Sequence, residues 1–123
     1  MTPDIVISGT GLYTPPASIS NQELVDAFNA WVDADNRVHA ADIAAGVRPA
    51  RESSSAEFIV KASGIHSRHV MDRDGILDPA RLCPNLPERG NDSLSLQAEM
   101  AVAAARDALA AAGRSAAEVD MVL

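Results

Sequence analysis

The chain has 123 residues, 17 of them acidic against 10 basic, for a formal net charge of −7. That length allows one ordinary domain, and the acidic balance speaks against a nucleic-acid or anionic-membrane surface while leaving room for a small anionic ligand held by local positive charge. The single cysteine, Cys83, excludes an internal disulfide, residues 1–8 carry no basic, apolar leader, and no run approaches ~18 apolar residues, so a cytoplasmic protein without a membrane span is expected.

Residues 5–8 form a short β-branched run that reads as a buried strand. Gly9 and Gly11 then begin a G-x-G pattern. A dinucleotide fingerprint needs a third small residue and a helix opening at once. Here Pro15 and Pro16 hold the chain extended instead. The first helix signal is Ser20 with Glu23, a capping box. The glycines are therefore read as letting the backbone pass close to another element. A helix is predicted over 21–31, with Leu24, Val25, Phe28 and Trp31 on one face. Residues 32–51 hold Asp33, Asp35, Gly46 and Pro49, with a short helix near 38–45. Ser54 and Glu57 make a second capping box before a helix over 56–63, which Gly64 closes. Residues 65–71 read as extended, ending in the turn Asp72-Arg73-Asp74-Gly75. Residues 75–91 carry Pro79, Pro84 and Pro87 and read as an irregular surface excursion.

Asp92 or Ser93 is expected to cap a helix running to Ala112 and stopped by Gly113. Its small side chains at Ala98, Ala101, Ala105, Ala108 and Ala112 make a smooth stripe, expected to be buried against another element. The helix propensity of alanine explains the composition equally well, and the two readings are compatible. Ser115 with Glu118 gives a third capping box. Met121-Val122-Leu123 begins an apolar run read as a central strand whose neighbours come from outside these residues. Two or three such strands do not make an independent α/β sheet. The expectation is that this chain pairs with a second chain or is the front part of something longer.

Taken in order, the segments form a series. Gly9-Thr10-Gly11-Leu12-Tyr13-Thr14-Pro15 is followed by Ser20-Asn21-Gln22-Glu23-Leu24. Then come Phe58-Ile59-Val60-Lys61-Ala62-Ser63-Gly64-Ile65-His66-Ser67-Arg68-His69, the alanine-rich helix, and Ala117-Glu118-Val119-Asp120-Met121-Val122-Leu123. This series resembles the N-terminal part of β-ketoacyl-[acyl-carrier-protein] synthase III, in the thiolase superfamily. The resemblance covers nearly the whole chain. It departs from the compact members at 32–53 and 75–91, which are longer, as in relatives that take larger acyl groups. It implies an α/β fold, the N-terminal portion of a layered α-β-α-β-α thiolase-like fold, with 1–123 supplying part of its first half. It also implies a homodimer.

The resemblance further implies an enzyme that takes an acyl group from acyl-CoA onto a cysteine and condenses it with malonyl-carrier protein, releasing carbon dioxide. Acyl-CoA is then a substrate, acyl carrier protein a partner, and no separate cofactor is needed. A cysteine at a helix N-terminus has a lowered pKa and attacks the thioester. A His and an Asn stabilise the enolate. None of that triad is matched here. Cys83 lies between Leu82 and Pro84 in a proline-rich loop, the wrong context for the nucleophile. What the resemblance does carry over is part of a CoA entrance. Phe58 falls where the family stacks an aromatic on adenine, and Ala62 falls where it places the opposing Arg. Lys61 stands one residue earlier as a substitute of different geometry. Phe58 as a plain core residue is the competing reading. Arg68 and His69 match basic residues of the motif, and they meet either phosphate or an internal carboxylate. His66 and His69 are not a metal pair, because three residues apart on a strand they face opposite ways. Two alternatives stay open: a relative with head-to-head or non-decarboxylating chemistry, and a non-catalytic α/β assembly fragment.

Overall fold

The computed structural model describes residues 4–123. They divide into two compact units, one of Pro15–Pro87 and one joining the segment up to Thr14 to Glu88–Leu123. The secondary structure is mixed α/β.

The Pro15–Pro87 unit opens with β1 (Ala17–Ser20). The stretch after the two prolines becomes a strand because β2 (Ser67–Val70) supplies an antiparallel partner, with Ala17 opposite Val70 and Ser20 opposite Ser67. Ile19 of β1 is 1% exposed and forms the core with Val25, Ala27 and Val32. α1 (Asn21–Val38) starts at the expected capping box: Ser20 Oγ accepts from the Glu23 amide at 3.2 Å, and Glu23 Oε2 accepts from the Ser20 amide at 2.9 Å. The helix runs well past Trp31. Within the added turns Asp35 is paired with Arg48 and Arg51 at 2.8 and 2.7 Å. The buried line is Val25–Val32, two turns apart, while Leu24, Phe28 and Trp31 are only half-buried beside it.

α2 (Ala40–Ala44) follows as expected. α3 (Ala56–Ser63) keeps its predicted bounds, but its cap is Ser55, whose Oγ accepts from the Phe58 amide at 3.1 Å. Ser54 cannot take that role because Asn29 holds both its backbone groups. Gly64 ends α3 at φ 70°, in the left-handed region that suits glycine. The predicted turn at 72–75 is instead the start of α4 (Arg73–Leu77), with Asp72 as N-cap. Asp72 Oδ2 accepts from the amides of both Gly75 and Asn85, so the proline-rich segment folds back onto the start of α4. Gly75 is buried there, and a Cβ on it would lie 2.7 Å from the Cys83 carbonyl oxygen.

In the other unit, α5 (Leu96–Ala112) is capped by Ser95, not Asp92 or Ser93, which belong to a turn closed by Ser93 N–H donating to Gly90 O. Gly113 ends it at φ 64°. The third capping box opens one 3-10 turn, Ala116–Glu118. α5 buries none of its residues completely. Ala101 and Ala105 are exposed, against expectation. The stripe that meets a neighbour is Ala104, Ala108 and Ala112, along which Gly9 and Gly11 pass. Spacing of four keeps this line straight enough to admit an extended backbone. The close-approach reading of the two glycines therefore holds. Residues 5–8 and 121–123 are not strands: Ile5, Ile7 and Leu123 are almost fully exposed, and no strand among the described residues pairs with them. Apolar β-branched runs favour extension, but only a neighbouring strand completes a ladder. No described helix is long and apolar enough to cross a membrane.

Candidate functional site

The candidate surface is built on α3 and its entry. Phe58 sits in the first turn, with its amide bonded to the cap Ser55. Phe58 is 64% exposed among the described residues. It lines a shallow recess of about 410 Å³ with residues 52–55. Such an exposed ring offers a stacking face at little conformational cost. Lys61 lies three residues on, hence on the same side of the helix. It is exposed, and its side chain makes no hydrogen bond or ion pair among the described residues. It borders a second recess, of about 490 Å³, with Gln22, Glu57, Val60 and His66. α3 thus offers an aromatic face and an uncompensated ammonium group one turn apart. Ala62 is exposed beside them and adds no charge.

Arg68 is placed differently. It stands on β2 opposite Ile19, half-buried, and its Nη2 donates to Asn21 Oδ1 at 3.1 Å. Asn21 is buried, donates from Nδ2 to the Ile65 carbonyl at 2.5 Å, and gives its amide to the His66 carbonyl at 3.2 Å. Arg68 therefore meets an internal amide where an internal carboxylate was one of its two expected partners. His69 is exposed on the same strand. No group of three or more metal-ligating side chains occurs among the described residues. Cys83 is exposed, follows Leu82 at φ 51°, and has its carbonyl held by Arg81 Nε at 3.2 Å. Nothing there resembles a paired nucleophile and base.

Three features were missed from sequence. Glu23 does more than cap: its Oε1 meets Arg73 Nη2 at 2.5 Å, tying α1 to α4, and Arg73 also donates to the Ser18 carbonyl at 3.3 Å. The hydrogen bonds from Ser20, with the Arg73 charge behind them, hold the Glu23 carboxyl below its ordinary range. Asp35 is held low in the same sense, chiefly by its bond from Arg51 and then by the charges of Arg48, Arg51 and His39. The Arg51 guanidinium also lies 4.6 Å over the Trp31 ring, which packs on Phe28 at 5.6 Å. The third feature is a pair of asparagines, Asn29 and Asn36, that grip the strap leading into α3. Only the i, i+7 spacing of the asparagines on a helix could have suggested it.

No family model matches the chain. It is 56% identical over 99 residues to a β-ketodecanoyl-[acyl-carrier-protein] synthase of Pseudomonas aeruginosa, an alignment covering 80% of this chain and 28% of that protein. The matched part thus spans little more than a quarter of the length of that curated relative.

Proposed function

We propose that the chain is the front part of a β-ketoacyl-[acyl-carrier-protein] synthase of the type III kind, and that α3 forms one wall of its acyl-CoA entrance. The observation that carries this reading is the 56% identity to a curated β-ketodecanoyl-[acyl-carrier-protein] synthase over four-fifths of the chain. The exposed pair Phe58 and Lys61 supports it at the site.

In this reading Phe58 stacks on the adenine, and Lys61 faces the CoA phosphates as a point charge in place of a planar guanidinium. Arg68 braces the strand below them through Asn21. The nucleophilic cysteine lies outside these 123 residues. Its thiolate attacks the acyl-CoA thioester carbonyl and expels CoA as a thiolate, which takes a proton from solvent. Malonyl-carrier protein then loses carbon dioxide. The enolate so formed attacks the acyl-enzyme and releases the cysteine thiolate. The intact protein is a cytoplasmic homodimer with a layered thiolase-like fold, to which residues 5–8 and 121–123 contribute strands once their neighbours are present.

The test is direct. The full-length protein is incubated with malonyl-carrier protein and acyl-CoA substrates of increasing length, and 3-oxoacyl-carrier protein and carbon dioxide are measured together. Since the relative is named for a β-ketodecanoyl product, a medium-chain acyl-CoA is the first to try. Formation of both products in equal amounts supports the reading. Acyl transfer without carbon dioxide would favour the non-decarboxylating alternative, and no turnover of any acyl-CoA would favour the assembly fragment.

A further inference from the structure

Residues 32–53 were expected to be an insertion of no assigned purpose. In the structure they extend α1 and return as a strap beside it. Asp35 and Trp31 of α1 engage its arginine side chains, and two asparagines of α1 hold its backbone. Asn36 donates from Nδ2 to the Arg51 carbonyl at 3.0 Å and accepts from the Arg51 amide at 2.8 Å. Asn29 does the same to Ser54, donating at 3.0 Å and accepting at 2.8 Å. Each amide thus satisfies both backbone groups of one residue, as a facing residue does in an antiparallel ladder.

The spacing is matched. Seven residues of helix rise about 10.5 Å, and three residues of extended chain span about 10 Å. The helix numbers rise from 29 to 36 while the strap numbers fall from 54 to 51, so the two run antiparallel. A slip of one residue along the strap would remove Arg51 and Ser54, whose backbone groups now meet the two asparagines, from both at once. The next residue after the grip is Ser55, the N-cap of α3, and Phe58 is the residue whose amide that cap receives. The position where α3 begins decides which way Phe58 and Lys61 face, since each residue turns the helix by about 100°.

We propose that Asn29 and Asn36 are positioning residues of the acyl-CoA entrance, a two-point ruler that sets the start of α3 and thereby aims Phe58 and Lys61 at the nucleotide end of the substrate. This rests on the reading of Phe58 and Lys61 given above. It predicts that loss of the grip weakens recognition of the nucleotide and spares the chemistry. Asn29→Asp is the sharpest probe, because it keeps the size and the acceptor for the Ser54 amide but turns an oxygen toward the Ser54 carbonyl.

The experiment uses the full-length protein and two substrates, an acyl-CoA and the same acyl group on pantetheine, which has no nucleotide. Asn29→Asp, Asn36→Asp and Phe58→Ala are compared with wild type. The expected result is a KM for acyl-CoA raised about fivefold in Asn29→Asp, part of what a lost aromatic–base stack costs, with a smaller rise in Asn36→Asp. Values of kcat, and KM for the pantetheine ester, stay at wild-type levels. Equal losses on both substrates would overturn the proposal and make the asparagines general supports of the fold. If Asn29→Asp does not fold, Asn36→Asp carries the same comparison. A Phe58→Ala effect with none in either asparagine variant refutes the ruler alone, while a silent Phe58→Ala removes the site reading and the ruler with it.

Discussion

Gly11 lies along the backbone of α5 with no room for a side chain. A Cβ built there would sit 2.5 Å from the Ala108 nitrogen and 2.9 Å from the Asp107 Cβ, besides meeting the Ala104 carbonyl oxygen. At Gly9 the Cβ would be 2.5 Å from the Ala108 carbonyl oxygen and 2.7 Å from the Ala112 nitrogen. These are helix backbone atoms, which cannot swing aside as a side chain can, so the chain or the whole helix must move. Gly11→Ala is therefore expected to cost about 1–3 kcal/mol, toward the upper end, as overpacking does. Two glycines isolate the cause. Gly64 has φ 70° but nothing within 4 Å of its Cβ position, so Gly64→Ala costs only the left-handed conformation, about 1–2 kcal/mol. Gly90 has neither a positive φ nor a neighbour, so Gly90→Ala should stay within about 0.5 kcal/mol. Urea unfolding of each variant, read as a shift in midpoint at constant slope, gives the order. A Gly11→Ala midpoint equal to that of Gly90→Ala would refute the close approach of this loop to α5.

The alanines of α5 should divide the same way. Ala105→Leu, on the exposed side, should change stability by less than about 0.5 kcal/mol, whereas Ala108→Leu, against Gly9 and Gly11, should cost about 1–3 kcal/mol in the same unfolding assay. Acid should weaken the Pro15–Pro87 unit through Glu23 and Asp35. Both carboxyls are held below their ordinary range, so their contribution is present above the unfolded-state value and lost as pH falls through the folded-state value. The urea midpoint should accordingly drop on acidification, less in Asp35→Asn than in wild type. Cys83 should label readily with a thiol reagent, and Cys83→Ser in the full-length protein should leave the proposed acyl-CoA turnover unchanged; a large loss of kcat would contradict the reading that Cys83 is not the nucleophile.

Local signals in the sequence were read well where the physics is local. The box of Ser20 and Glu23, the bounds of α3, and the stops at Gly64 and Gly113 all rest on residues within a few positions of each other. The errors arose where a distant partner decides. α1 outruns Trp31, into turns where Asp35 is paired with Arg48 and Arg51. β1 exists because Ser67–Val70 lies beside it. The cap of α3 moved from Ser54 to Ser55 because an asparagine on another helix holds Ser54. The same holds for the site. Phe58 and Lys61 were legible as residue types at helical spacing, but their exposure was not, and neither was the engagement of Arg68 by Asn21. Residues 5–8 have the composition of a strand, and composition alone could not supply the neighbour they lack among the described residues.

The central claim is that α3 presents Phe58 to the adenine of CoA. Calorimetric titration of CoA into the full-length protein tests it without relying on turnover. A base stacked on an aromatic ring is worth about 1–3 kcal/mol by truncation, and with Ala62 in place of the opposing Arg the lower half applies. Phe58→Ala should therefore raise the Kd for CoA by about five- to tenfold, close to 1–1.4 kcal/mol, with pantetheine binding and thermal stability left near wild type. An unchanged Kd for CoA, or a loss of stability with no specific change in CoA binding, would contradict the account.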